Sequence, residues 1–177
     1  TIETVLRGGW PGLHGLPLRA AARANRDDLD RIARTDIHRV DGIRRDPGRV
    51  TATIASLARN IATPVSLKTL ADDAAEMGTS VSYETVSEYL ISLERLMVLE
   101  NQPAWNTHLR SSHRLRTTPK RHLVDPSLAA AALRATDASL KADLNTFGLL
   151  FESMVVRDLR VYAQRLGGEV FHYRDQT

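Results

Sequence analysis

SLKTLADDAAEMGTSVSYETVSEYLISLERLMVL, residues 66–99, reads as two short helices in tandem running into a strand. Ser66 suits the N-cap of the first helix and Ser82 that of the second, because a hydroxyl there accepts from a helical N–H that has no other partner. The buried positions of the first would be Leu67, Leu70, Ala71, Ala74 and Ala75, and Met77-Gly78-Thr79-Ser80 makes the turn. Val86, Leu90, Leu93 and Met97 form one stripe on the second, at the spacing of a single helix face. A short helix, a glycine-containing turn and a longer amphipathic helix make a helix-turn-helix pattern.

Toward the C-terminus come Met97-Val98-Leu99 and Pro103-Ala104-Trp105, then a polar, basic stretch leading to His122-Leu123-Val124-Asp125. Two short strands with a loop between them make a β-hairpin wing. Toward the N-terminus, Asp46-Pro47 opens a helix, since proline suits the first helical turn. Its stripe is Val50, Ile54, Leu57, Ala58 and Ile61, and Thr63-Pro64 ends it. Residues 46–124 are therefore expected to be a winged helix-turn-helix.

Residues 1–45 read as a connector and a helical segment. Gly8, Gly9, Pro11, Gly12, Gly15 and Pro17 mark residues 1–17 as irregular. From Leu18 the pattern is helical, with Leu29, Ile32, Ala33, Ile37 and Val40 inward and a face of Arg and Asp in solvent. Residues 125–177 read as a helical segment leading into a truncated α/β element. Pro126 opens an alanine-rich helix to about Ala135. Leu140 to Leu144 bridges to a longer pattern of Phe147, Leu150, Phe151, Met154, Val155, Leu159, Tyr162, Ala163 and Leu166. Gly167-Gly168 stops that helix, and Glu169–Tyr173 alternates as a strand. The fold class is mainly α with a small β component, a winged helix-turn-helix flanked by helical segments.

Composition narrows the function. With 42% hydrophobic and 25% charged residues the chain is globular. A net charge of +3 permits nucleic-acid contact without arguing for it. There is no cysteine, which excludes a disulfide scaffold, a cysteine-ligated zinc site and a thiol nucleophile. No signal peptide and no membrane-length apolar run is seen, so a cytosolic home without a membrane partner is expected. The chain opens on Thr1 without a methionine and stops just after an apparent strand, so both ends are expected to be cut.

The order of these pieces resembles a known family, the domain of unknown function that follows the nucleotide-binding core in predicted AAA-superfamily ATPases of bacteria and archaea. Arg7-Gly8-Gly9-Trp10-Pro11 resembles the family's Gly-Gly-x-Pro opening, and Thr35-Asp36-Ile37 its acidic-aliphatic step after the first long helix. Thr85-Val86 through Tyr89-Leu90 to Leu93-Glu94 resembles its central helix. Pro119-Lys120 with Val124-Asp125, and Phe147-Gly148-Leu149-Leu150-Phe151-Glu152, resemble its later motifs. The resemblance covers nearly the whole chain. One departure is Asp125-Pro126-Ser127, where the family usually has glycine after the Asp-x step. The resemblance implies an ATPase core with a phosphate loop N-terminal to this region, and often a restriction-endonuclease-like region continuing it.

The residues test the chemistry this implies. A phosphate loop needs glycines before a Lys-Ser or Lys-Thr pair. Lys68-Thr69 follows Leu67, and neither Lys120 nor Lys141 precedes a hydroxyl residue, so no such loop is present. ATP and Mg are expected only for the missing core, and no cofactor, metal or catalytic residue is expected here. A nuclease reading would rest on Glu152, yet its partners cannot be assembled before the chain ends, and Glu152 is expected to meet Arg157 or a neighbour. His14, His38, His108, His113, His122 and His172 form no i,i+4 pair on a helix and read as scattered surface residues.

Nucleic-acid binding is the open question. The stretch from Asn101 to Val124 holds Arg110, Arg114, Arg116, Lys120 and Arg121 and no acid, with Ser111, Ser112, Thr117 and Thr118 beside them. Such a wing suits phosphate contact. The second tandem helix would add Tyr83 and Ser87, but it also shows Glu84, Glu88, Ser92 and Glu94 against one base, Arg95. The preceding helix adds Asp72, Asp73 and Glu76. Acids repel a phosphate backbone, and base reading favours Arg, Lys, Asn and Gln. Three readings stay open: nonspecific DNA-backbone contact through the wing, docking on the ATPase core or another protein through apolar surface near Trp10 and Trp105, and a stand-alone transcription regulator.

Overall fold

Three side-chain caps fix where the central helices begin. Asp46 accepts from the Arg49 N–H and opens α4, Pro47–Arg59. Ser66 accepts from Thr69 and opens α5, Leu67–Glu76. Ser82 accepts from Thr85 and opens α6, Tyr83–Arg95. Each cap satisfies an otherwise free N–H and stabilises its helix by about 1 kcal/mol. The computed structural model describes residues 1–105 and 118–173.

α4, α5 and α6 pack around Val50, Ile54 and Leu57, Leu70 and Ala74, and Val86, Leu90 and Leu93. Leu67 is only half-buried and Ala75 is exposed, so the expected row of α5 is narrower than its spacing suggests. Met97 departs further. It is 76% exposed and has a φ of 56°. This left-handed residue ends the helix and reverses the chain, with the Val98 N–H bonded to the Leu93 carbonyl at 2.9 Å. Val98 and Leu99 then enter the core in place of Met97.

β1, Leu99–Gln102, pairs antiparallel with β2, Lys120–Leu123, in a register that sets Leu99 against Leu123 and Gln102 against Lys120. On the other edge of β2, Thr63 makes an antiparallel bridge with Arg121. β2 therefore lies between β1 and the segment that joins α4 to α5. Among the described residues the molecule is mainly helical with this one small sheet.

The N-terminal residues correct the sequence reading. Residues 1–17 include α1, Ile2–Arg7, and a 3-10 turn, Pro11–Leu13. α1 buries Val5 and Leu6, and a six-residue helix is stable only through such burial. α2, Leu18–Arg31, continues through a π-helical stretch, Ile32–Asp36, into α3, Ile37–Arg39. Its charged face is laced by pairs such as Arg34 with Asp30 at 2.7 Å.

α7, Pro126–Ala132, runs through the middle of the molecule. Asp125 caps it, and its alanines let α1, α2, α4 and the long helix Leu144–Arg165 pack close. α8, Asp137–Ala142, starts with a Thr136–Ser139 capping box. α9, Leu144–Arg165, is capped by Asp143. Residues from all three sequence segments share one hydrophobic cluster, from Val5 to Leu150.

Two expectations for the C-terminal part change. Of the apolar pattern on α9 only Leu150 is fully buried, and Ser153 and Val156 join it inside. Phe151, Val155, Leu159, Tyr162 and Leu166 face out. The strand expected at 169–173 is a single parallel bridge, His172 with Ala104.

Candidate functional site

The solvent face of α6 is negative. Tyr83, Glu84, Glu88, Glu94 and Arg95 are exposed, and Ser87 is half-buried. The Tyr83 hydroxyl is hydrogen-bonded to the Glu84 carboxylate, which raises the tyrosine's pKa and lowers the glutamate's. Ser92 does not belong to this face. It is buried, donates to the Glu88 carbonyl at 3.1 Å and accepts from Arg45 at 3.0 Å. Arg45 also binds Asp41 and the Ile37 carbonyl, and its hydrogen bond holds the Asp41 carboxyl well below the usual range.

Of the five basic residues assigned to the wing, Arg110, Arg114 and Arg116 lie outside the described residues. So do Ser111, Ser112, Thr117, His108 and His113. Lys120 and Arg121 are engaged within the fold. Lys120 pairs with Glu152 of α9 at 2.6 Å. Arg121 donates to the Val65 carbonyl, and burial lowers its pKa. The partner of Glu152 is thus Lys120 and not Arg157, because β2 lies alongside α9 and Arg157 is held by Asp125.

Two histidines read as surface residues are buried. His122 sits between Ser153 Oγ, 3.1 Å from Nδ1, and Gln102 Oε1, 3.3 Å from Nε2. Burial lowers its pKa to about 4, and the charges of Arg160 and Lys120 add to the effect. Burial also lowers His172, with Lys120 the next cause. A Ser–His contact can mark an activated nucleophile, but here both residues are almost wholly inaccessible and the other ring nitrogen faces an amide rather than a carboxylate. The cluster fixes β2 to α9. Among the described residues no group of three His, Asp or Glu side chains is placed to hold a metal ion.

A polar junction joins two motifs that are far apart in the chain. Asp125 Oδ2 accepts from the Gly9 N–H at 2.9 Å and from Arg157 Nη1 at 2.5 Å, while Oδ1 accepts from the Ser127 N–H at 2.9 Å. Trp10 Nε1 donates to Ser127 Oγ at 3.2 Å. Gly8 has a φ of 80°, and a Cβ there would stand 2.3 Å from Ser127 Oγ, so the site requires glycine. Trp10, expected on a docking surface, is half-buried in this junction. Trp105 is exposed and meets Phe171 edge-on at 5.4 Å. Neither motif alone signals the contact; the paired glycines and the Asp-Pro-Ser cap are its only local traces.

Residues 1–139 match the model of a family described as Domain of unknown function (DUF8612). The chain belongs to that family. No curated protein and no solved structure matches it. Within the DUF8612 match lie Gly8, Gly9, Asp125 and Ser127, whereas Arg157 and all of α9 lie beyond it. Among the described residues of this DUF8612 chain, no helix is long and apolar enough to cross a membrane.

Proposed function

We propose that this chain is a non-catalytic accessory region of an AAA-type ATP-binding protein. In it a winged-helix unit anchors α9, and α9 presents an apolar face to the ATPase core or another protein. The order α4, Thr63 bridge, α5, α6, β1, β2, with β2 central, supports the winged helix. The absence of a phosphate loop from the sequence supports a non-catalytic role, with ATP and Mg bound by the core.

The observation that carries the docking role is the outer row of α9. Leu144, Phe151, Val155, Leu159, Tyr162 and Leu166 recur at helical spacing and all are exposed, Leu166 by 88%. An apolar row of this length on a surface marks an interaction site. Gly148 stands in the same row with open space in front of it, which suits a closely approaching partner. The test is hydrogen exchange on α9 with an ATPase core polypeptide added in trans. Protection confined to the 144–166 row supports docking; unchanged exchange at saturating core sinks it.

DNA-backbone contact is the second reading, favoured by the acid-free stretch from Asn101 to Val124. It rests on Arg110, Arg114 and Arg116, since Lys120 and Arg121 have partners inside the fold. Anisotropy with a random duplex tests it. Binding that falls with salt and disappears in the Arg110/Arg114/Arg116→Ala chain would favour DNA over protein.

A further inference from the structure

A groove lies alongside α2, lined by none of the residues invoked for docking or DNA contact. One wall is α2; the other is the end of α7 and the turn into α8, with Thr51, Ile54 and Ala55 of α4 closing one end. It consists of two adjoining cavities of about 350 and 530 Å³ that share Arg26 and Arg134 at their junction. The floor is apolar: Leu18, Ala22 and Leu29 from α2, Ala131 and Ala135 from the opposite wall.

The charges along the rim are unevenly satisfied. Its acids are neutralised by their own helices, Asp30 by Arg34 at 2.7 Å and Asp137 by Lys141 at 2.6 Å. Arg19, Arg26 and Arg134 line the groove with no ion-pair partner among the described residues. Arg19 and Arg26 are seven residues apart on one helix, so they lie about 10 Å apart along its axis, two turns. Arg134 has a φ of 53°, at the position after α7 where glycine is the usual residue. The chain keeps a guanidinium at a backbone position that favours glycine, and that guanidinium lines both cavities.

We propose that this groove receives an acidic amphipathic helix of a partner protein. Its carboxylates, two turns apart, pair with Arg19 and Arg26, a further one with Arg134, and its apolar residues lie on the Leu18–Ala22–Leu29 row. An apolar floor flanked by unpaired arginines suits a helix face with acidic flanks. A nucleic-acid backbone, charged along its whole length, would leave that floor unmatched. The groove is independent of the α9 face, so either can fail without the other.

The probe is a fluorescein-labelled helical peptide of about 18 residues, with leucines on one face and glutamates flanking them. The full chain should bind it and should ignore the same peptide with lysine in place of glutamate. Arg26→Glu should weaken binding by roughly tenfold or more. Arg134→Gly should also weaken it while raising the melting temperature, because glycine relieves the left-handed backbone; that result separates lost binding from lost folding. Ala22→Trp should block the floor. A Phe151→Glu/Tyr162→Glu chain should bind the peptide as the unaltered chain does. Equal binding of the lysine peptide, unchanged affinity in Arg26→Glu and Arg134→Gly, or displacement of the peptide by a random duplex would each overturn the proposal.

Discussion

α6 and α9 both carry apolar residues at helical spacing, and the fold treats them in opposite ways. α6 turns Val86, Leu90 and Leu93 into the core and leaves acids outside. α9 turns Leu150, Ser153 and Val156 inward and leaves its longer apolar row in solvent. Beside the packing of Leu150, Phe147, Leu149 and Met154 on the core, α9 is tied down by polar contacts: Glu152 with Lys120, Ser153 with His122, Arg157 with Asp125, and Arg160 with Glu100 and the Asn101 carbonyl. Apolar burial supplies most of the stability of a contact, whereas ion pairs and hydrogen bonds mainly fix its geometry. α6 is thus part of the folding core, and α9 is a helix held in register with one face kept free.

The sharpest test sets one leucine from each helix side by side. Leu93 is fully buried and Leu159 about half exposed. Leu93→Ala should cost about 3 to 4 kcal/mol, through lost transfer energy and the cavity left behind. Leu159→Ala should change stability by about 0.5 kcal/mol or less. Urea unfolding of both chains decides it, and similar losses would erase the distinction between the helices.

Asp125 is the strongest polar link between α9 and the rest. Asp125→Ala removes the acceptor of the Gly9 and Ser127 N–H groups and leaves the Arg157 guanidinium, itself mostly covered, without its buried partner. The expected loss is about 3 kcal/mol. Arg157→Ala should lose less, because Asp125 keeps its two backbone donors. If Arg157→Ala proves the more damaging, the junction depends on the ion pair rather than on the capped loop.

How much of this was legible in the sequence follows from the range of each interaction. Helix-start signals act within a few residues, so Pro47 and the capping hydroxyls of Ser66 and Ser82 are enough to place the starts of α4, α5 and α6 from sequence. The α6 row was legible except at Met97, where a left-handed residue overrode the period. α1 was hidden because six residues are too few to show a period, and Val5 and Leu6 are buried by contacts distant in sequence. Composition grouped Lys120 and Arg121 with the wing; it could not see Glu152 or the Val65 carbonyl. The burial of His122 and the pairing of Gly9 with Asp125 depend on how β2, α7 and α9 pack, which no local spacing records. On α9 the period showed that an apolar row exists, but not whether this chain covers it.

Acid should loosen α9 before α6. His122 has a folded pKa of about 4 against an ordinary value of 6.5, so between these values the unfolded chain binds more protons. Stability is complete above pH 6.5 and is lost as the pH falls toward 4, by roughly 2 to 3 kcal/mol from this one group. His172 shifts in the same direction and adds to the loss. Hydrogen exchange at pH 5 and 7 should show α9 amides losing protection while those of α6 keep theirs. His122→Gln should flatten the dependence, and an unchanged slope would place the titrating group elsewhere.

The smallest expected effect on stability is also the most telling for function. Tyr162 and Leu166 are 65% and 88% exposed, so replacing both with glutamate removes almost no buried area. The double variant should melt within a few degrees of the unaltered chain, since surface changes of this kind shift stability by about 0.5 kcal/mol or less. Its binding of an environment-sensitive apolar dye, however, should fall clearly, because these side chains end the outer row. A retained dye signal would mean that the row is not the accessible apolar surface. A large drop in melting temperature would mean that it is covered within the fold, and α9 would then be a core helix like α6.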